Sequence, residues 1–285
     1  MTSRLKDKWV LITGASSGFG AAAARAFGAE GSRLLLGARR LDRLEKVAAE
    51  SRQAGAPEAH FHVLDVSQTA SVEAFVAWAR HLITNQQLSD GSNQSSVISH
   101  QSPAPRLDVL INNAGGALGL EPVAQGKDED WEGMLQSNVL GVLRMTRAAL
   151  PLLMNNPGSS IINIGSVAGR VAYEGGAAYC AAKAGELQIT RALRLELNGT
   201  GIRVCTVDPG LAETEFSLVR FKGDADRARK VYEGIQPLRG EDVAEILVWV
   251  ASRPPHVNID ELLVKCVDQA AIHKVHRRTA QTQTP

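Results

Sequence analysis

Short apolar runs alternate with longer amphipathic segments along most of this chain. The apolar runs predict buried strands at Trp9–Thr13, Arg33–Gly37, His60–Leu64, Val109–Asn112, Ile161–Ile164, Val204–Val207 and Leu262–Val267. The segments between them predict helices at Gly20–Glu30, Leu41–Ala54, Ser71–Ile83, Asp128–Met154, Ala177–Leu197 and Asp242–Ala251. Strands and helices in this alternation predict an α/β fold, in which helices cover both faces of a parallel sheet.

One polar segment interrupts the alternation. Asn85–Pro105 is rich in Ser, Gln and Asn and holds too few large apolar residues to offset the entropy of ordering it. It is therefore predicted to be a flexible surface insertion, with a partner-binding loop as the alternative. The polar residues 276–285 predict a frayed tail. The chain is thus interpreted as one domain over residues 1–275, with an insertion at about 85–105.

Composition excludes several classes of partner. The 285 residues include 31 Lys and Arg against 30 Asp and Glu, so neither nucleic acid nor an anionic membrane is expected to bind. No apolar stretch reaches the roughly 18 residues that span a bilayer. Cys180, Cys205 and Cys266 are odd in number and far apart. They predict reduced thiols in a cytoplasmic protein, with neither a disulfide framework nor a metal site.

A glycine-rich turn follows the first predicted strand and precedes a helix. Its residues are Thr13, Gly14, Ala15, Ser16, Ser17, Gly18, Phe19 and Gly20. Glycines let the backbone approach a pyrophosphate, which the amides at the helix N-terminus then bind. The turn predicts a dinucleotide site formed by Gly14, Ser16, Ser17, Gly18, Phe19 and Gly20, whereas a plain glycine-rich turn is the alternative.

Two arginines at the end of the second strand indicate which dinucleotide binds. An acidic residue at this point would favour the ribose hydroxyls of NAD, whereas arginine suits the additional phosphate of NADP. The strand is followed by Arg39 and Arg40, with no acidic residue at its end. NADP is therefore the predicted cofactor. A solvated basic helix start is the alternative, and Arg43 fits either interpretation.

Ser166, Tyr179 and Lys183 form a candidate proton-transfer site. Tyr179 and Lys183 lie one helical turn apart and share a helix face, while Ser166 follows a buried strand. A tyrosine ionises near pH 10, but a nearby ammonium group and a cationic nicotinamide both lower that pKa. Such a group can accept or donate the proton of an alcohol or a carbonyl. The alternatives are a helix-surface pair and a helix-capping serine.

In these features the chain resembles the short-chain dehydrogenases/reductases, in their single-domain branch. The resemblance rests on Thr13–Gly20, Asn112-Asn113-Ala114-Gly115, Asn138, Ser166, Tyr179-x3-Lys183 and Pro209-Gly210. It implies a Rossmann-type, doubly wound sheet of seven mostly parallel strands. It also implies cofactor contacts from Asp65, Val66, Asn113, Ala114, Gly115, Tyr179, Lys183, Pro209, Gly210 and Thr214. By the same resemblance, Asn138 is expected to join the catalytic set by holding a water that links Lys183 to solvent.

The segment Pro209–Asp224 resembles the substrate loop of NADP-dependent serine/3-hydroxy acid dehydrogenases. Ala212 in place of an expected valine and the insertion after residue 85 depart from that pattern. The resemblance implies oxidation of serine, allo-threonine or a similar acid, or reduction of the matching carbonyl compound. The carboxylate of such a substrate needs a cation, for which Arg220 and Arg170 are the candidates, Arg220 being preferred.

Three other functions remain open at this point. One is a general carbonyl or 3-oxoacyl reductase of the same family, and another is a non-catalytic NADP-sensing protein. The third is a structural or scaffold protein, for which the long polar segment is the only support. Asp128–Met154 and Ala177–Leu197 resemble the helix pair that forms a four-helix interface in this family, so a homotetramer or homodimer is expected.

Overall fold

Seven parallel strands form the central sheet. The computed structural model describes residues 3–89 and 104–278. The strands are β1 (Trp9–Thr13), β2 (Arg33–Ala38), β3 (Ala59–Val63), β4 (Val109–Asn112), β5 (Ser160–Ile164), β6 (Arg203–Pro209) and β7 (Glu261–Val264). Their order is β3-β2-β1-β4-β5-β6-β7, and each neighbouring pair is parallel. This arrangement confirms the doubly wound Rossmann-type fold and leaves a crevice where the strand order reverses, between β1 and β4.

Helices pack against both faces of this sheet. They are α1 (Gly18–Ala29), α2 (Leu41–Ala54), α3 (Thr69–Ser89), α4 (Asp128–Leu135), α5 (Gly141–Met154), α6 (Ala177–Glu196), α7 (Phe216–Arg220), α8 (Ala225–Lys230) and α9 (Gly240–Ala251). Alternate strand residues face opposite cores: Val10 and Ile12 pack with α1 and α9, whereas Leu11 packs with α3 and α5. A small hairpin, β8 (Gln269–Ala271) and β9 (Lys274–Val275), follows the sheet.

Three predicted boundaries were wrong. Helix α3 continues to Ser89, so residues 85–89 belong to a helix and not to the insertion, whose residues 90–103 lie outside the described part. Gln and Leu at this end are good helix formers, which explains the extension. The same helix begins at Thr69, two residues before the predicted start at Ser71, whose hydroxyl accepts a hydrogen bond from the amide of Asp65 (2.9 Å).

The third boundary is that of the C-terminal tail. The His276 amide donates to the carbonyl of Asp268 (2.8 Å), and the Arg278 side chain forms an ion pair with the Asp268 carboxylate (3.0 Å). Residues 276–278 are therefore anchored and not frayed, because charge pairing replaces the apolar contacts that they lack. Residues 279–285 lie outside the described part.

A π-helical turn divides the long predicted helix over residues 128–154. It spans Gln136–Leu140, between α4 and α5, and it contains Asn138. Such turns insert one extra residue per turn and are frequent at functional sites. The turn brings Asn138, which is 1% exposed, against the chain that follows β4.

Two further features concern the cysteines and the apolar character of the helices. Cys180, Cys205 and Cys266 are buried free thiols. Over residues 3–89 and 104–278, no helix combines the length and the apolar character that crossing a bilayer requires.

Candidate active site

Thr13 joins the end of β1 to the segment that follows β4. Its Oγ1 accepts hydrogen bonds from the amides of Asn113 and Ala114, both at 2.9 Å. The Asn113 Nδ2 group in turn donates hydrogen bonds to the carbonyls of Thr13 (2.9 Å) and Gly14 (3.2 Å). Sequence reasoning placed Thr13 in the glycine motif without a role. Its buried hydroxyl fixes the two chain segments that border the crevice.

The glycine turn has the shape that a pyrophosphate site requires. Gly14 and Gly18 have positive φ angles of 65° and 53°, which favour glycine. A Cβ atom at Gly20 would lie 2.4 Å from the carbonyl oxygen of Gly14, so the turn can close only with glycine there. No side chain caps α1 at Ser17, and its first turn holds no acidic residue, so its amides remain available to an anion.

Of the two arginines predicted to bind the cofactor phosphate, Arg40 lies beside this turn, whereas Arg39 is exposed. The Arg40 guanidinium donates to Ser17 Oγ (2.8 Å) and Ser16 Oγ (3.2 Å), and it pairs with Glu215 (3.0 Å). Arg43 also forms an ion pair with Glu215. Although desolvation opposes it, hydrogen bonding from the two arginines holds the pKa of Glu215 below its ordinary value.

The Asn138 side chain bonds to backbone groups of two neighbouring segments. Its Nδ2 donates to the carbonyls of Gly116 (2.9 Å) and Met134 (2.8 Å), and its Oδ1 accepts from the Gly116 amide (3.2 Å). A Cβ atom at Gly115 would lie 2.4 Å from Asn138 Oδ1. The side chain therefore orders the segment at 115–116, and its link to Lys183 through water stays a prediction.

The other predicted cofactor residues lie at the carboxyl ends of their strands. Asp65 and Val66 follow β3, where Asp65 Oδ1 accepts from the amide and hydroxyl of Ser67 (2.9 and 2.7 Å). Pro209 ends β6, and the amide of Gly210 donates to Val264. Thr214 lies over the glycine turn, 3.5 Å from where a Gly18 Cβ atom would be.

Ser166, Tyr179 and Lys183 come together as predicted. Tyr179 is 8% exposed and Lys183 is 7% exposed, and the Ser166 hydroxyl is close enough to Tyr179 to lower its pKa. Desolvation raises the pKa of Tyr179, whereas the Lys183 ammonium and the Ser166 hydroxyl oppose that rise. Lys183 Nζ donates to the carbonyl of Ile164 and to Glu186, both at 2.7 Å. Sequence reasoning missed Glu186.

A pocket beside Tyr179 holds Arg220, one of the two predicted substrate cations. Its lining includes Leu118, Gly119, Trp131, Met134, Tyr179 and Arg220. The Arg220 guanidinium lies 5.9 Å from the centre of the Tyr179 ring, and its Nε donates to the Gly119 carbonyl (2.9 Å). The pocket therefore contains both a cation and the candidate proton-transfer residue.

Arg170, the other candidate, is already paired with carboxylates. Its Nε lies 2.6 Å from Asp208, which is 1% exposed, and its other nitrogen lies 2.7 Å from Glu261. Hydrogen bonding from Arg191 and Arg170 lowers the pKa of Glu261 to about 2. Since Arg170 neutralises two carboxylates, Arg220 remains the stronger candidate for a substrate anion.

Comparisons with known proteins agree with this geometry. The family model for short chain dehydrogenases matches residues 8–89 and 88–224. A serine 3-dehydrogenase of Agrobacterium fabrum is 38% identical over 92% of this chain and 94% of its own length. An NADP-dependent 3-hydroxy acid dehydrogenase of Schizosaccharomyces pombe is 38% identical over 98% of this chain and 100% of its own length. The protein belongs to the short-chain dehydrogenase family and is an oxidoreductase.

A solved structure extends the similarity to three dimensions. The closed form of a serine dehydrogenase complexed with NADP+ is 38% identical and has a TM-score of 0.80. The superposition covers 95% of this chain and 100% of that chain. The family resemblance inferred from the sequence motifs is confirmed.

Replacing Arg170 by leucine is expected to lower the free energy of unfolding by about 3 kcal/mol, because Asp208 would stay buried without its main cation. Chemical denaturation measures this change. Arg229→Leu is the control: its exposed pair with Asp226 should contribute less than about 1 kcal/mol. A stable Arg170 variant that selectively raises the KM of hydroxy acids would make Arg170 the substrate cation instead.

Proposed function

We propose that this protein is an NADP-dependent oxidoreductase that transfers a hydride between the cofactor and a small 3-hydroxy acid. Serine, allo-threonine or a similar acid would be oxidised, or the matching carbonyl compound reduced. The observation that carries the proposal is the position of Arg220, which lines the same pocket as Tyr179. The names of the two relatives support this substrate class, and the name of the second supports the cofactor.

The cofactor-binding residues fit a phosphorylated dinucleotide. The free amides of α1 would hold the pyrophosphate, and Arg40, together with Ser16 and Ser17, would hold the ribose phosphate. Glu215 forms an ion pair with Arg40, so it would compete with that phosphate for the guanidinium. Bound NADP supplies or accepts the hydride, and the protein provides position and electrostatic field.

Tyr179 would move the substrate proton. During oxidation its phenolate accepts the proton of the substrate hydroxyl, and during reduction its phenol donates a proton to the carbonyl oxygen. Ser166 would hydrogen-bond that same oxygen and fix its place beside Tyr179. The Lys183 ammonium stabilises the phenolate and would bind the ribose hydroxyls of the cofactor.

Arg220 would bind the substrate carboxylate. Its guanidinium presents a planar set of donors, only one of which is used by the Gly119 carbonyl. With this guanidinium 5.9 Å from the centre of the Tyr179 ring, a 3-hydroxy acid would place its hydroxyl at Tyr179 and its carboxylate at Arg220. A bulky neutral ketone would gain nothing from this cation.

The quaternary structure and the compartment stay predictions. Leu143 on α5 and Leu195 on α6 are 42% and 79% exposed, which supports an interface along these helices. A dimer or tetramer is expected, and light scattering after size exclusion measures it.

Replacing Tyr179 by phenylalanine tests the catalytic proposal. Turnover with NADP and a 3-hydroxy acid is expected to fall at least about 100-fold, since the acid and base is lost. Binding of NADPH, followed by fluorescence, should survive. Tyr232→Phe is the control, because its hydroxyl contacts Ser217 and the Ala212 carbonyl. Turnover that persists in Tyr179→Phe would exclude the proposed mechanism, and a wild type that binds NADPH without turnover would favour the sensing alternative.

Replacing Arg220 by alanine tests the substrate class. The KM of a 3-hydroxy acid is expected to rise about 10-fold to 100-fold, the effect of one charge-assisted interaction. The kcat/KM for a neutral alcohol of similar size should change little, which separates lost recognition from a damaged site. Exposed Arg227 is the matched control as Arg227→Ala. Equal losses for both substrates, or a wild type that prefers neutral ketones, would favour the general carbonyl reductase.

Replacing Arg40 by alanine tests the cofactor assignment. The Kd for NADP is expected to rise at least about 10-fold, because one charge-assisted contact to the phosphate is lost. The Kd for NAD should change much less. Titration calorimetry measures both constants, with Arg80→Ala, an exposed arginine on α3, as the control. Tighter binding of NAD than of NADP by the wild type would contradict the assignment.

A further inference from the structure

A carboxylate that the proposed mechanism does not use lies buried beneath the catalytic group. Glu186 is 1% exposed and stands one turn beyond Lys183 on α6. Its Oε2 accepts a hydrogen bond from Lys183 Nζ at 2.7 Å. Its Oε1 is buried and has no hydrogen-bond partner among the described residues. A buried carboxylate that is only half satisfied costs stability, which calls for a functional reason.

The charged groups around Glu186 come from two elements. Lys183 and Tyr179 face it from α6, and Asp208 faces it from β6, where Arg170 neutralises that carboxylate. Desolvation raises the pKa of Glu186 to about 7, although Lys183 opposes the rise. Glu186 is therefore an anion above neutral pH, the range in which a tyrosine beside an ammonium group loses its proton.

We propose that Glu186 is a positioning residue that holds the Lys183 ammonium and weakens its field at Tyr179, and thereby sets the pH range of oxidation and reduction. This inference rests on the proposed function, in which Tyr179 is the acid and base. It assigns to Glu186 a role in proton affinity, with no contact to substrate or cofactor.

The sign of the effect follows from charge. An anionic Glu186 stabilises the protonated forms of Tyr179 and Lys183, and it raises the pKa of both groups. The two groups titrate as a coupled pair, so removal of the anion makes the pair release its first proton at lower pH, whichever group loses it. With Glu186 present, the phenol stays protonated to higher pH. That state is the one that donates a proton during carbonyl reduction.

Replacing Glu186 by glutamine removes the charge and keeps the shape. The acid limb of the pH profile of kcat/KM for hydroxy acid oxidation is expected to move to lower pH by about one unit. That is the pKa shift which one partly screened charge causes at this distance. The basic limb of carbonyl reduction should move in the same direction. Glu186→Leu is expected to give the same shift, whereas Glu186→Asp keeps the charge and should restore the wild-type limbs. Glu196→Gln, an exposed glutamate on the same helix, is the control.

A titration of tyrosinate absorbance tests the same inference without turnover. The chain has three tyrosines, and burial raises the pKa of the other two, Tyr173 and Tyr232. Subtracting the Tyr179→Phe titration isolates the Tyr179 contribution in the cofactor-free protein. Its midpoint is expected to fall in Glu186→Gln by the same shift as the kinetic limb.

Each outcome separates this inference from the proposed function. The inference would be overturned if Glu186→Gln or Glu186→Leu lowered the rates but moved neither the limbs of the pH profiles nor the tyrosinate midpoint. Glu186 would then have a purely structural role. Turnover that survives Tyr179→Phe would overturn the proposed function, while the tyrosinate midpoint would still report the effect of Glu186. If the glutamine variant does not fold, the leucine variant decides by the same two measurements.

Discussion

The hydrogen bonds of Thr13 fix the junction from which the whole site is assembled. They join β1 to the segment after β4 at the point where the strand order reverses. Connections leave this point in opposite directions, so a crevice opens at the carboxyl ends of the strands. The glycine turn forms one wall, and the segment from Asn113 to Gly116 forms the other. The distances between cofactor and substrate residues therefore depend on this one buried hydroxyl and the side chain of Asn113.

Burial makes the charges within the site depend on one another. Tyr179, Lys183 and Glu186 share a volume with little solvent, where electrostatic interactions are stronger than in water. Arg220 lies 5.9 Å from the centre of the Tyr179 ring. Two cations thus act on the tyrosine, one of which, Lys183, is partly neutralised by a carboxylate. No single residue sets its proton affinity, because each charge changes the ionisation of the others.

Most of the fold could be predicted from the sequence, because a parallel sheet covered on both faces requires nearly continuous apolar strands. Trp9–Thr13 and Val109–Asn112 were predicted with the bounds that the structure shows. The long helix over residues 128–154 was predicted as one element, because a π-helical turn depends on the tertiary contacts of Asn138 and carries no periodic signal. The helical residues 85–89 were missed because their polar composition outweighed their helix propensity in the prediction.

The sequence by itself determined the family, the glycine turn and the set of Ser166, Tyr179 and Lys183, because their chemistry depends on residue type and local spacing. Only the tertiary structure decided how the remaining charges are paired. The sequence offered both Arg170 and Arg220 as substrate cations and favoured Arg220, but only folding brings Asp208 to the first and the pocket of Tyr179 to the second. Likewise, Arg40 donates a hydrogen bond to Glu215, which lies 175 residues later in the sequence. Such pairings join distant segments, and their energy depends on burial, which local sequence does not specify.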